Sequence, residues 1–138
     1  MAGKQPKRKP RPGVDEYGRS PLHYAALNGD QRELITLLDA GASADAQDDN
    51  GWTALHFAAQ DRHAAIVESL LKRGANPNLL NSHGNGPLWV ALMSSRNDLS
   101  NVKMLLAAGA SPDQKNASGR SPRDMALTIK GGLEDLFA

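Results

Sequence analysis

The sequence predicts an all-α solenoid of about four helix-turn-helix repeats joined by hairpin-like loops. Ala54 lies 33 residues after Pro21 and 33 before Pro87, and Pro122 follows after a further 35. Other landmarks recur at the same spacing: Leu22, Leu55 and Leu88; Ala25, Ala58, Ala91 and Ala126; Gly41, Gly74 and Gly109. A fixed period in the range of about 20 to 50 residues is typical of stacked units that share one continuous core.

Each repeat starts its first helix at the same position. Thr53 can cap a helix by accepting a backbone N–H, and Ser20 and Ser121 can do so immediately before prolines that suit the first helical turn. The paired alanines that follow, such as Ala58 and Ala59, are small enough to let neighbouring helices approach closely. Residues 78–85 are rich in turn formers, so we expect the loop to the next repeat there.

The second helix of repeat two shows a clear apolar stripe. Its members are spaced as on one helical face: Ile66, Val67, Leu70 and Leu71. Glu68 precedes Lys72 by four residues on the opposite face, where the two can pair in water. Gly74 then supplies a left-handed C-cap that ends the helix.

These motifs resemble those of ankyrin repeat proteins. Ser20-Pro-Leu-His-Tyr-Ala25 and Thr53-Ala-Leu-His-Phe-Ala58 carry the likeness, together with a Gly-Ala pair after each second helix. The resemblance covers about residues 14–138, which we divide into repeats of about 15–47, 48–80, 81–115 and 116–138. It implies that His23 and His56 are structural, tying the helix start to the adjoining loop, and that His63 caps a helix.

Repeat three departs most from the pattern. Gly86 stands in the place of the hydroxyl cap, and Trp89 replaces the motif histidine, where we expect it to fill core space. Two extra residues lie between its helices, in residues 93–99. Asp98 could cap the second helix, with a buried stripe that we predict as Leu99, Val102 and Leu106.

Repeat four has the character of a C-terminal cap. Arg123 replaces the motif leucine and Asp124 the histidine, as a terminal repeat with an uncovered outer face requires. We expect Leu133, Leu136 and Phe137 to form a last apolar turn that folds back on repeat three.

Residues 1–13 form a basic, proline-rich segment that we expect to be a disordered tail. They hold five of the sixteen basic residues and no acidic one. The cluster Lys7, Arg8 and Lys9 is consistent with a nuclear import signal, with nucleic-acid contact, or with a solubilising tail. The chain has no cysteine, no apolar run long enough for a membrane span and no signal-peptide pattern, so we expect a cytoplasmic protein, or a nuclear one if the cluster acts in import.

Nothing in the sequence indicates catalysis or metal binding. Of the four histidines only His83 lacks a structural role in the resembled family, and a lone loop histidine is a poor ligand set. Carboxylates are scattered through loops and solvent faces, and glycines punctuate helix ends and hairpins without forming a phosphate-binding loop. We predict a protein with no enzymatic activity, no cofactor and no small-molecule substrate.

The resemblance implies that a partner binds the concave face built from hairpin tips and first helices. Tyr17 and Trp52 are our first choices, because aromatic residues dominate interface hot spots, although each ring could instead pack on a neighbouring hairpin. The further tip residues are Glu16, Arg19, Asp49, Asn50, Ser82, His83 and Asn85, and the helix residues are Leu27, Asn28, Gln60, Asp61, Met93 and Ser94.

The predicted function is therefore non-catalytic protein binding by a chain that is monomeric when free. One alternative is a stoichiometric inhibitor, like the small ankyrin proteins that resemble immunity factors and neutralise a cognate toxin or enzyme. Another is nucleic-acid association through the basic tail, which would show as a steep dependence on salt.

Overall fold

The computed structural model describes residues 11–129 and confirms the all-α repeat fold. Its seven helices in this range are α1 Pro21–Asn28, α2 Gln31–Asp39, α3 Ala54–Gln60, α4 Ala64–Lys72, α5 Pro87–Ser94, α6 Ser100–Ala107 and α7 Pro122–Thr128. The longest helices in the described range have nine residues, so none could span a bilayer. Three helix pairs are followed by the single helix α7.

The caps place each first helix at the predicted residue. The Thr53 hydroxyl accepts the backbone N–H of His56 at 3.3 Å, and the Ser121 hydroxyl accepts that of Asp124 at 3.1 Å. At Ser20 the hydroxyl instead contacts the Nδ1 atom of His23 at 3.0 Å. Gly86 begins α5 in an extended conformation without a side-chain cap, as expected.

His23 and His56 link successive repeats, which confirms their predicted structural role. Their Nδ1 atoms accept the backbone N–H groups of Ser20 and Thr53 at 3.0 and 3.1 Å. Their Nε2 atoms lie 3.1 and 2.9 Å from carbonyl oxygens of the next repeat, those of Trp52 and Asn85, and His23 Nε2 also lies 2.9 Å from the Ala46 carbonyl oxygen. Because a ring nitrogen that accepts carries no proton, both imidazoles are neutral and donate through Nε2. Burial lowers the pKa of both rings, although the bonds to backbone carbonyls oppose that shift.

The core runs through the stack of first helices and the inner stripe of the second helices. Ala26, Ala58 and Ala59 are fully buried, so α1, α3 and α5 pack closely side by side. On α6, Val102 and Leu105 are fully buried, whereas the predicted Leu106 is only partly buried, as is Leu99 just before the helix, so the predicted stripe was wrong at Leu106. Val102 and Leu105 correspond to the buried Val67 and Leu70 of repeat two.

Polar side chains bind within repeats three and four. The N-cap position of α6 is Leu99, which makes no side-chain cap bond, so the predicted cap at Asp98 was wrong by one position; Asp98 instead accepts the backbone N–H of Ser100 at 2.9 Å. In repeat four, Arg123 pairs with Asp113 at 2.7 Å. The predicted apolar turn at residues 133–137 lies outside the described residues.

Part of the expected tail contacts the repeats. Residues 1–10 lie outside the described range, but Val14 donates its backbone N–H to the Arg11 carbonyl at 3.1 Å. The Arg11 guanidinium reaches Asp49, with Nη2 2.7 Å from Oδ1. Among the described residues, contact with the repeats thus already includes Arg11, which precedes the predicted boundary at residue 14.

Candidate partner-binding surface

One Asp or Asn side chain builds each hairpin tip. Its oxygen accepts two backbone N–H groups, from the residues two and four positions later, at 2.9 to 3.1 Å. The backbone N–H of the same residue donates to the carbonyl four positions later at 2.8 to 2.9 Å. The four residues are Asp15, Asp48, Asn81 and Asn116. Each tip is thus closed on itself before any partner arrives.

Neighbouring tips are joined by one backbone hydrogen bond each. Asp49 donates to the Tyr17 carbonyl, Ser82 to that of Asn50 and Ala117 to that of His83, each at 2.9 Å. Gly51 is needed at one junction, since its φ is +77° and a Cβ there would lie 2.8 Å from the Asn81 Cα. The tips therefore form one continuous, rigid row.

The tips of repeats one and two carry a cluster of rings around one guanidinium. The Arg19 Cζ lies 5.3 Å from the centre of the Tyr17 ring and 5.1 Å from that of Phe57. The Trp52 and Phe57 ring centres are 5.1 Å apart. Arg19 also donates from Nε to the buried Asp48 carboxylate at 3.3 Å. We call Tyr17, Arg19, Trp52 and Phe57 the aromatic tip cluster.

The two predicted hot-spot residues have different environments. Tyr17 is 48% exposed, which makes it accessible to a partner. Trp52 is partly buried and packs against His56 and Phe57 of its own repeat, so it supports the structure as well as the surface. The alternative in which the aromatic ring packs within the structure therefore applies to Trp52. Its ring contacts are with the helix of its own repeat.

A second contact fixes the edge of this cluster. The Tyr24 hydroxyl donates to the Asp15 carboxylate. Burial would raise the pKa of Asp15, but this bond and the backbone N–H groups of Arg19 and Tyr17 hold it below its usual value. Asp15 is therefore ionised at neutral pH.

The other predicted tip residues are placed along the same row. Asn50, Ser82 and His83 are exposed, and Glu16 is partly buried. Asp49 is bound by Arg11. Asn85 is a structural link, because its carbonyl lies 2.9 Å from His56 Nε2 and its amide oxygen accepts from Asn116 at 2.9 Å.

The predicted helix residues lie at the C-terminal ends of the first helices, away from the tip row. Met93 is 64% exposed, and Gln60 and Asp61 are also exposed. Asn28 is exposed, whereas Leu27 and Ser94 are partly buried. These residues and the aromatic tip cluster thus occupy opposite ends of the first helices.

Trp89 is buried, as predicted, but does not fill the site completely. A cavity of about 20 Å³ remains between repeats three and four, lined by Gly86, Trp89 and Asn116 among others. That volume suits one water molecule. The Arg120 guanidinium lies 5.9 Å from the centre of the Trp89 ring.

Sequence reasoning missed two residues of this surface, Phe57 and Asp48. Phe57 occupies the variable position between the histidine and alanine of the motif, so the motif does not predict which residue type stands there. Asp48 is the first residue of the predicted second repeat, and its spacing of 33 from both Asp15 and Asn81 was the signal that could have identified it. Within residues 11–129 no three His, Cys, Asp or Glu side chains gather as metal ligands would.

The stacked helix pairs and the row of closed tips define a repeat solenoid. A family profile described as ankyrin repeats, in three copies, matches residues 22–116. The chain belongs to the ankyrin repeat family. Repeats of this family are generally protein–protein interaction modules and are typically not catalytic.

Several larger proteins are similar to the chain. Human ankyrin repeat domain-containing protein 40 is 35% identical over 82 residues, which is 59% of this chain and 22% of that protein. Calmodulin-binding transcription activator 3 of Arabidopsis thaliana is 45% identical over 67 residues, 49% of this chain and 6% of that protein. Tyrosine-protein kinase HTK16 of Hydra vulgaris is 38% identical over 112 residues, 80% of this chain and 14% of that protein. The chain spans less than a quarter of each relative.

Proposed function

We propose that this chain is a non-catalytic module that binds a partner protein on its concave face. The observation that carries the proposal is the continuous row of hairpin tips, each closed by an Asp or Asn side chain and joined to the next by a backbone hydrogen bond. A surface that is rigid before binding lowers the ordering cost of association. Side chains such as Tyr17 and Asn50 then set specificity.

An adaptor and an inhibitor would use this surface in the same way. They differ in what the partner does, because an inhibitor covers the active site of its target whereas an adaptor leaves its partner active. The proposal therefore concerns the binding face, and the identity of the captured partner distinguishes the two roles.

Affinity capture with matched variants tests the proposal. Tyr17→Ala and Met93→Ala together remove two exposed apolar side chains, 48% and 64% exposed, from the proposed face. Lys72→Ala is the control, since that side chain is 73% exposed on the outer helix α4. Trp52→Ala is less suitable, because losing its packing on Phe57 would also weaken the fold.

We expect the double variant to bind the captured partner at least about tenfold more weakly, as truncated hot spots do, and the control to bind like the wild type. Circular dichroism and thermal unfolding should show that both variants are folded. Equal binding by the double variant would contradict the concave face as the site.

A further inference from the structure

The acidic and basic residues of this chain are segregated along the solenoid. Residues 15–68 hold ten acidic and three basic residues, whereas residues 69–129 hold three acidic and seven basic ones. The tips repeat this pattern. Residues 15–19 and 48–52 carry four carboxylates and one arginine, while residues 81–85 and 116–120 carry no carboxylate and one arginine. The aromatic tip cluster therefore lies in the acidic half of the row.

The aromatic tip cluster and the neighbouring Asp49 hold two guanidinium groups of the chain. Arg19, within the cluster, lies 5.3 and 5.1 Å from the Tyr17 and Phe57 ring centres, with its charge balanced by Asp48 at 3.3 Å. Arg11 reaches across from the start of repeat one to Asp49 at 2.7 Å. The Arg19 contact uses chemistry that favours arginine over lysine, which is the stacking of a planar cation on aromatic rings, whereas Arg11 pairs with the carboxylate through one nitrogen.

The Arg11 contact is the more replaceable of the two. The Arg11 and Asp49 side chains are 45% and 19% exposed, whereas Arg19 is 27% exposed and its Asp48 partner only 1%. Because Arg11 is the solvent-facing member of its pair, another guanidinium can take its place on Asp49. Tyr17, whose carbonyl accepts the Asp49 backbone N–H at 2.9 Å, is 48% exposed and offers a stacking surface.

We infer that the aromatic tip cluster binds an arginine-bearing segment of the partner protein. One partner arginine displaces Arg11 from Asp49 and lies against Tyr17, while the surrounding carboxylates attract further positive charge. Arg11 thereby acts as an internal competitor that lowers the affinity for weakly basic segments. This inference rests on the proposed function and specifies the chemistry of the partner.

Fluorescence anisotropy with three labelled peptides tests the inference on the full chain. The peptides have equal length and carry arginine, lysine or glutamate at alternating positions. Asp49→Asn removes the carboxylate of the site, and Asp113→Asn is the control. Asp113 also forms an ion pair with an arginine at 2.7 Å, but far from the site, between the end of repeat three and Arg123 of repeat four. Arg11→Ala removes the competitor.

We expect the arginine peptide to bind more tightly than the lysine peptide, and the glutamate peptide to bind least. Asp49→Asn should lower the affinity for the arginine peptide about fivefold, which is about the contribution of one exposed ion pair. Asp113→Asn should leave that affinity unchanged. Arg11→Ala should raise the affinity, and added salt should lower it. Glu16→Gln serves as a second variant if Asp49→Asn is not folded.

Three results would overturn the inference. They are tighter binding of the glutamate peptide, equal loss in Asp49→Asn and Asp113→Asn, and no binding of the arginine peptide by either the wild type or Arg11→Ala. The proposed function would survive any of these if the captured partner still requires Tyr17 and Met93. If the peptide results overturn the inference and the captured partner does not require Tyr17 and Met93 either, the concave face is rejected as the binding site.

Discussion

His56 should contribute strongly to the stability of the stack. Its ring is fully buried and accepts the Thr53 backbone N–H at 3.1 Å while donating to the Asn85 carbonyl at 2.9 Å. His56→Ala leaves the buried Thr53 N–H without a partner, which costs about 1–3 kcal/mol. It also removes one of two hydrogen bonds to the Asn85 carbonyl, worth about 1 kcal/mol, although that carbonyl still accepts the Asn81 N–H. We therefore expect His56→Ala to lower the free energy of unfolding by about 3 kcal/mol, a large share of the typical total of about 5–15 kcal/mol.

Urea unfolding followed by circular dichroism measures this cost, with the other histidines as references. His63→Ala removes one contact, from Nε2 to the Leu27 carbonyl at 3.1 Å, and should cost about 1 kcal/mol. His83→Ala alters an exposed tip side chain and should change stability by less than about 0.5 kcal/mol. A cost for His56→Ala no larger than that for His83→Ala would refute the role of the ring as a link between repeats.

Two other predictions concern the buried histidines and the junction between neighbouring tips. Because folding lowers the pKa of His23 and His56 below the unfolded value of 6.5, the unfolded chain binds more protons below that pH. Stability should therefore be fully present above pH 6.5 and decrease as the pH falls below it, which the urea midpoint at neutral and mildly acidic pH measures; an unchanged midpoint would contradict this. Gly51→Ala should destabilise more than Gly74→Ala, since both have positive φ but only the Cβ at residue 51 meets backbone, 2.8 Å away at Asn81. Thermal unfolding compares the two variants, and equal losses would show that the contact between tips can relax.

The fold was predictable because the same spacing between landmark residues recurs in every repeat. A landmark such as Gly74 confirms the boundaries that Pro21 and Pro87 suggest, so local patterns and the global repeat agree. Leu106 was wrong because the stripe of α6 was predicted from local spacing alone. Counting back from Gly109, as from Gly74 in repeat two, aligns Leu105 with the buried Leu70.

The candidate surface was only partly predictable, because its contacts join different repeats. Residue type and position indicated Tyr17 and Trp52, but not that Trp52 would pack on Phe57 or that Arg19 would lie between two rings. The Arg11–Asp49 pair spans 38 residues and connects the expected tail to a tip. Such pairings depend on how neighbouring repeats are stacked, which no local motif encodes.

The single hydrogen bond between neighbouring tips has a consequence for how the chain can change in length. Each tip donates one N–H backward and offers one carbonyl forward, so adding or removing a whole repeat leaves the bonding rule of the row intact. The two extra residues of repeat three lie in the longer loop between α5 and α6, residues 95–99, and the next tip still bonds to its neighbour. In this chain an insertion is accommodated where two helices turn, while the bonding of the tips is unchanged.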